Sequence, residues 1–132
     1  MKVGKTRGER TESSLSLAYQ LTREVSRLGF DWPDLDGVLR KMKEETKELT
    51  EALALQNRRK IREELGDLLF VMVNLSRFLR IDPEKALKQT VEKFMRRFCY
   101  VETSLQKKGK SFRQSNLAEM DRLWEEAKKK KK

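Results

Sequence analysis

Two short acidic clusters hold the side chains of this chain that are best suited to chemistry. They read Glu-Glu-Thr-Lys-Glu at residues 44–48 and Glu-Glu-Leu-Gly-Asp at residues 63–67. In the first cluster Glu45 and Glu48 are three residues apart. In the second cluster Glu64 and Asp67 have the same spacing. Residues three apart project from one face of an α-helix, so each pair can present its oxygens together.

Both clusters interrupt apolar stripes that have helical spacing. The stripe around the first consists of Leu35, Val38, Met42, Leu49 and Ala52, and the stripe around the second of Ile61, Leu68, Val71, Leu75 and Phe78. Glu45 falls inside the first stripe and Glu64 inside the second, with Asp67 beside it. Burying an unpaired carboxylate costs several kcal/mol, so acids at such positions need a cationic partner.

A single acidic run of this kind is ordinarily a solvated helix face with basic partners. Two consecutive interrupted stripes favour a metal site, because Lys60, four residues before Glu64, cannot neutralise four carboxylates. The chain contains no histidine. Oxygen ligands without imidazole or thiolate favour Mg²⁺, with Mn²⁺ as a possible substitute, over zinc or copper.

Magnesium held by carboxylates keeps open coordination positions, which phosphate oxygens commonly fill. Such a site acidifies a bound water, and a free carboxylate can accept the proton. The chemistry indicated is therefore hydrolysis of a phosphoanhydride or phosphoester. The glycine spacing of a P-loop is absent from the sequence, which excludes a Walker-type nucleotide site.

Basic and aromatic residues near the C-terminal end are candidates for phosphate and nucleotide contacts. Lys93 and Arg97 are four residues apart and share a helix face. They form either a solvated basic face or a phosphate clamp, with forked donors from the arginine. Trp124 and Lys128 have the same spacing, although a tryptophan belongs to a core more often than to a stacking platform.

The composition indicates a single, basic, helical domain. The chain has 132 residues and a formal charge of +10, of which residues 128–132, all lysine, supply half. A moderately positive body favours polyanions, including nucleotides. The polar first fourteen residues, a lone Cys99 and the interrupted apolar stretch over 65–79 predict a cytoplasmic protein without a membrane span.

The hydrophobic periods predict an all-α fold of about five helices and no strands. We expect residues 1–12 to be disordered, 13–128 to form the domain and 129–132 to be a lysine tail. The expected helices run from about Ser13 to Leu28, Asp34 to Leu55, Asn57 to Arg80, Asp82 to near Gly109, and Asn116 through Trp124. Capping residues mark the starts of the last three, at Asn57, Asp82 and Asn116.

Several ordered motifs resemble the MazG nucleoside triphosphate pyrophosphohydrolases. They are Gly-Phe-Asp-Trp-Pro-Asp at 29–34, the two acidic clusters, Asn-Leu at 74–75, Ile-Asp-Pro-Glu-Lys-Ala-Leu at 81–87 and Lys-Phe-Met-Arg-Arg-Phe at 93–98. The likeness covers about residues 15–128 and is strongest to the C-terminal, catalytically competent half of two-domain members. Phe78 stands where a histidine is common in the family.

This resemblance implies a four-helix-bundle core completed by homodimerisation, or a dimer of dimers. It also implies Mg²⁺-dependent hydrolysis of nucleoside triphosphates to monophosphate and pyrophosphate, in a nucleotide-pool sanitising role. By position, the metal ligands would be Glu45, Glu48, Glu64 and Asp67, with Glu45 or Glu48 as the proton acceptor. The substrate contacts would be Lys60, Lys93, Arg97, Trp124 and Lys128.

Two other functions remain open at this point. A related pyrophosphatase selective for one base, such as a dUTP or dCTP hydrolase, would share the metal site. A basic helical nucleic-acid-binding module would account for the charge, but it leaves the acids in the apolar stripes unexplained, so a nucleic-acid partner is the weaker interpretation.

Overall fold

The computed structural model describes residues 13–130, and the segment expected to be disordered, 1–12, lies outside them with the last two lysines. The described part forms five α-helices and no strand, which confirms the all-α prediction. The helices are α1 (Ser14–Arg27), α2 (Leu35–Leu55), α3 (Arg58–Phe78), α4 (Pro83–Lys107) and α5 (Leu117–Lys129), with one 3₁₀ turn at Phe112–Gln114.

Side-chain caps fix the starts of the helices, and those at Asn57 and Asn116 were predicted from the sequence. Asp34 accepts a hydrogen bond from the backbone N–H of Gly37, and Asn57 accepts one from Lys60. At the start of α5, the side chain of Asn116 accepts a hydrogen bond from the backbone N–H of Glu119. These bonds satisfy backbone donors that the first helical turn leaves free.

The last helix differs from the prediction. It continues past Trp124 to Lys129, and the sequence had not indicated the 3₁₀ turn before it. Strong helix formers, Glu-Glu-Ala-Lys-Lys, occupy residues 125–129, and Ala127 is buried. The buried alanine anchors this additional turn.

The described residues fall into two compact units, 13–86 and 87–130. In the first unit, α2 and α3 form a helical hairpin with a two-residue connection at Gln56 and Asn57, and α1 packs against α3. The buried apolar residues of this unit are Val38, Ala52, Val71 and Val73. The hairpin places the two acidic clusters on neighbouring helices.

The second unit has its own small core. Val101 and Leu105 of α4 pack with Leu123 of α5, and half-buried Phe112, Met120 and Trp124 surround them. The ring of Trp124 lies 5.2 Å from that of Phe94, centroid to centroid. Over residues 13–130, no helix combines the length and hydropathy that crossing a bilayer requires.

Candidate metal centre

Three carboxylates converge between α2 and α3. Glu45, Glu48 and Glu64 each offer an oxygen, and these oxygens lie within 4.8 Å of one another. Glu45 and Glu64 are each only 4% exposed, and Glu48 is half-buried. The helical spacing brings Glu45 and Glu48 to one face of α2, and the hairpin presents Glu64 of α3 opposite them.

A lysine one helical turn earlier holds each buried glutamate. The Nζ of Lys41 lies 3.0 Å from an oxygen of Glu45. The Nζ of Lys60 lies 3.1 Å from an oxygen of Glu64. Both pairs have the same four-residue spacing, so each pair forms within a single helix. The Lys41 pair was not predicted, although the spacing that identified Lys60 also identifies it.

Among residues 13–130, one oxygen of each of these glutamates has no partner. Oε1 of Glu45 and Oε1 of Glu64 are buried and accept no hydrogen bond from this part of the chain. A buried carboxylate oxygen without a donor is unfavourable by about 1–3 kcal/mol or more, so its presence needs an explanation. Two such oxygens beside Glu48 fit the hard, oxygen-only coordination that Mg²⁺ or Mn²⁺ prefers.

The charges of the cluster act on one another. The hydrogen bond from Lys60 holds the pKa of Glu64 below its ordinary value. Desolvation, followed by the negative charges of Glu45 and Glu64, raises the pKa of Glu48. Adding a cation would relieve this repulsion, which is further support for a metal at the cluster.

The other acids of the two clusters are exposed. Asp67 lies one turn beyond Glu64 on α3 and is not among the three carboxylates that converge. Its assignment as a metal ligand therefore stays a prediction. Glu44 and Glu63 lie off the site face; Glu44 is 3.5 Å from the Nζ of Lys41, and Glu63 is 3.8 Å from the Nζ of Lys60.

The remaining candidate substrate contacts belong to the second unit. Lys93 is exposed and Arg97 is half-buried on α4. Trp124 packs against Phe94, and Lys128 is 3.4 Å from Glu125. Their assignment to phosphate and nucleotide binding stays a prediction.

A cavity of about 480 Å³ opens in the first unit. Its apolar lining is Leu21, Val25, Phe30, Trp32 and Phe70, and its polar lining is Thr22, Asp31, Lys41, Asn74 and Arg77. Lys41 belongs to the cavity and also pairs with Glu45, so the cavity adjoins the carboxylates. Its volume is typical of sites for small organic ligands.

A close approach of backbone and ring shapes this cavity. Gly37 of α2 is buried, and a Cβ at this position would lie 3.2 Å from Cδ1 of Trp32. Glycine therefore lets the indole lie directly on α2. The chain reaches this point through the turn after α1, where Gly29 has a φ of +100° that other residues rarely adopt.

Arg77 and Asp31 join the loop before α2 to α3. The guanidinium donates two hydrogen bonds, each 2.8 Å, to the two oxygens of Asp31. This fork holds the pKa of Asp31 down, at about 2 against an ordinary 3.8. Asn74 is 1% exposed; its Nδ2 donates to the carbonyl of Phe70, and its Oδ1 accepts from Arg77.

A hairpin of two helices that gathers three carboxylates defines an all-α protein with a cluster that could hold a metal ion. The family model of the "MazG nucleotide pyrophosphohydrolase domain" matches residues 35–101, and the chain belongs to this family. The matched segment includes both acidic clusters. This confirms the resemblance on which the site assignments depend.

Curated relatives agree with the family. The chain is 44% identical to the nucleoside triphosphate pyrophosphohydrolase/pyrophosphatase MazG of Thermotoga maritima over 115 residues, 87% of this chain and 44% of the relative. It is 37% identical to the nucleoside triphosphate pyrophosphohydrolase of Escherichia coli over 121 residues, 90% of this chain and 46% of the relative. The chain thus spans less than half the length of these relatives.

A third relative matches over a shorter region. The uncharacterized protein YabN of Bacillus subtilis is 46% identical over 68 residues, which is 52% of this chain and 14% of that protein. Its name gives no activity.

Proposed function

We propose that this chain hydrolyses nucleoside triphosphates, ribo- or deoxyribonucleotides, to the monophosphate and pyrophosphate with Mg²⁺. The observation that carries the proposal is the cluster of Glu45, Glu48 and Glu64 with two buried, unpaired oxygens. The Thermotoga and E. coli relatives are named nucleoside triphosphate pyrophosphohydrolases, which supports the proposed reaction class.

The carboxylates would hold the metal. Glu45 and Glu64 would supply their unpaired oxygens, Glu48 would complete the set from α2, and Asp67 would join from the next turn of α3. When bound, Mg²⁺ (or Mn²⁺) neutralises phosphate charge and acidifies a coordinated water.

Glu48 is the better candidate of the two glutamates proposed as proton acceptor. Glu45 is buried and paired with Lys41, whereas Glu48 is half-buried and therefore has access to water. A general base must lie within hydrogen-bond reach of the water whose proton it accepts. The proton of the attacking water would move to an oxygen of Glu48.

Basic side chains would bind the triphosphate. Lys60 is beside the carboxylates, and Lys41 lies between them and the cavity. For Lys93 and Arg97 the resemblance to the family supports a role in binding phosphate, and for Trp124 and Lys128 a role in binding the nucleotide. Ammonium and guanidinium donors are the usual protein partners of phosphate oxygens.

The cavity would bind the nucleoside. The aromatic rings of Phe30, Trp32 and Phe70 line it, and Phe30 and Phe70 are 80% and 42% exposed. Exposed rings around a cavity are suited to stacking on a base. Because Lys41 also reaches Glu45, a nucleoside in the cavity would point its phosphates toward the carboxylates.

Homodimerisation, with dimers of dimers possible, is the assembly we propose. Leu65, Leu69 and Met72 form a stripe on α3 at helical spacing, each between 47% and 52% exposed. An exposed apolar stripe on a helix favours burial against another surface, here a second copy of the chain. The cellular role would be removal of unwanted nucleotides in the cytoplasm.

The first test is pyrophosphate release from a panel of nucleotides with and without Mg²⁺. Glu64→Gln should reduce turnover at least about a thousandfold, because a neutral amide is a poor ligand for Mg²⁺. Asp67→Asn tests the fourth ligand in the same assay. The helical circular dichroism signal should stay unchanged.

The matched control is Glu63→Gln, the same substitution at the exposed neighbouring position. It should retain turnover within about twofold, since Glu63 lies off the site face. Wild-type-like turnover in Glu64→Gln, or no Mg²⁺-dependent pyrophosphate release by the wild type, would refute the proposed function.

A further inference from the structure

The polar wall of the cavity is formed by side chains that already bond to one another. Arg77 is its centre: Nη1 and Nη2 donate to the two oxygens of Asp31 at 2.8 Å each. Nη2 also donates to Oδ1 of Asn74 at 2.7 Å, and Nε donates to Oγ1 of Thr22 at 3.2 Å. One guanidinium thus engages three other polar residues of the wall.

Other polar atoms of these residues bond to backbone groups and to a hydroxyl. Nδ2 of Asn74 donates to the carbonyl of Phe70 at 3.2 Å, and the hydroxyl of Thr22 donates to the carbonyl of Ala18 at 2.9 Å. Asp31 additionally accepts from the hydroxyl of Ser26 at 2.7 Å and the backbone N–H of Trp32 at 2.8 Å. The wall therefore has few hydrogen-bonding groups left for a ligand.

A binding site distinguishes bases by hydrogen bonds to their edges, because the wrong base leaves a buried donor or acceptor unpaired. When the donors and acceptors of the wall already bond to one another, no base leaves them unpaired, so the wall does not penalise one base more than another. Ring stacking, in contrast, tolerates every base, since each base has a π-face.

We propose that Arg77 is the reason why this site does not select one base over another. By bonding to Asp31, Asn74 and Thr22, it uses the polar groups that would otherwise bind one base in preference to the rest. The inference rests on the proposed function and on the nucleoside position in the cavity. It favours a broad nucleotide hydrolase over one restricted to dUTP or dCTP.

Cytosine and uracil are suitable probes because their hydrogen-bonding edges differ at positions 3 and 4. At position 4 cytosine presents an amino donor and uracil presents a carbonyl acceptor, as thymine does. At position 3 the order is reversed, with an acceptor in cytosine and an N–H donor in uracil. The ratio of kcat/KM for dCTP to that for dUTP therefore reports which kind of group the cavity wall presents to position 4 of the base. For the wild type we expect a ratio within about threefold of one, less than one unpaired hydrogen bond would produce.

Arg77→Met should shift the ratio toward dCTP. The substitution keeps the aliphatic bulk but frees acceptor oxygens on Asp31 and Asn74. These would favour the cytosine amino group by about tenfold, the value of one hydrogen bond.

Asp31→Asn should shift the same ratio in the opposite direction, toward dUTP. The asparagine amide has one acceptor oxygen, whereas the carboxylate of Asp31 has two. One N–H of the Arg77 guanidinium therefore loses its acceptor, and the amide adds N–H groups of its own. These donors would favour the carbonyl of uracil. Loss of packing alone lowers both rates together, and it does not produce opposite shifts of about tenfold in two variants.

Arg80→Met is the matched control, because Arg80 is exposed in the turn that follows α3. It should leave the ratio at the wild-type value. Thermal unfolding establishes which variants are folded, and if Arg77→Met does not fold, the Asp31→Asn ratio decides.

The outcomes separate the two proposals. Unchanged ratios in folded, active variants would overturn the role of Arg77 while leaving the hydrolase intact. A wild-type preference above about tenfold for either nucleotide would also overturn the role of Arg77, since the wall would then already distinguish the bases. A wild type without Mg²⁺-dependent turnover would refute the proposed function and this inference with it.

Discussion

At the scale of single residues, the lysine four positions before each buried glutamate of the cluster compensates the carboxylate charge when no metal is bound. Lys41 and Lys60 supply the positive charge that the buried glutamates Glu45 and Glu64 require. The two unpaired oxygens show that this compensation is partial. Each lysine therefore has a structural task in the metal-free protein, separate from any contact with phosphate.

We expect Lys41→Met to destabilise the metal-free protein by about 1–3 kcal/mol, because it leaves the Glu45 carboxylate buried without a cation. Urea unfolding in the presence of a chelator measures this loss. Added Mg²⁺ should restore more stability to this variant than to the wild type, since the metal neutralises the same carboxylate.

Lys43→Met is the control for this experiment, because Lys43 is exposed on the same helix. This substitution should lower the free energy of unfolding by less than about 0.5 kcal/mol, as is usual for exposed positions. Equal losses in the two variants would show that the ion pair with Glu45 contributes nothing specific.

Sequence reasoning identified the residues of the site that break a local pattern. Glu45 and Glu64 interrupt apolar stripes, and a helical period is enough to show that they are buried. Asp67 lies beside its stripe rather than inside it, and the structure leaves it exposed. The bond between Asp31 and Arg77 joins residues 46 positions apart, a pairing that no local period can reveal.

At the scale of elements, the ends of the helices were predictable because capping is local chemistry. Asp34, Asn57 and Asn116 each accept from a backbone N–H three residues later, as their side chains indicate. The final turn of α5 was missed because it depends on burial of Ala127, which tertiary packing decides.

A buried acid also connects two elements in the second unit. Glu119 of α5 is 7% exposed and lies 3.1 Å from the Nζ of both Lys108 and Lys110, which follow α4. A hydrogen bond from Ser115 and the two lysines lower the pKa of Glu119 to about 2 from an ordinary 4.5. The ionised form therefore favours the folded state.

This shift predicts a pH dependence of stability. The pKa of Glu119 is lower in the folded state than in the unfolded state. Its contribution to the free energy of unfolding is therefore complete above the unfolded pKa of 4.5, and it is lost as the pH falls to about 2. Glu119→Gln should lower the urea midpoint at pH 7, and the gap from the wild type should narrow at pH 3. A gap that is the same at both values would contradict this role for the carboxylate.

At the scale of the whole molecule, the exposed stripe on α3 is the feature that points to assembly. Leu65, Leu69 and Met72 would be unfavourably solvated in an isolated chain. The number of helices could be predicted from the sequence of one chain. The partner of an exposed face could not, because hydrophobic periodicity is the same whether a stripe meets its own chain or another copy.

We expect Leu69→Glu to shift the protein toward the monomer, because it places a charge in the centre of the stripe. Sedimentation velocity over a range of protein concentrations measures the change, which should be at least tenfold in dissociation constant. Leu55→Glu is the control, since Leu55 is 75% exposed at the end of α2 and off the stripe. A wild type that sediments as a monomer at every concentration would rule out the proposed dimer.

The paired lysines also have a consequence for the order in which the molecule folds. Each pair closes within one helix over four residues, so it can form before α2 and α3 meet. In both pairs the lysine precedes the glutamate, which is the weaker orientation for stabilising an isolated helix. The benefit therefore comes later, when the hairpin closes and the two carboxylates approach each other already paired with their lysines. Refolding of the chain should then proceed at the same rate with or without a divalent cation, and the cation would arrive at a site already assembled.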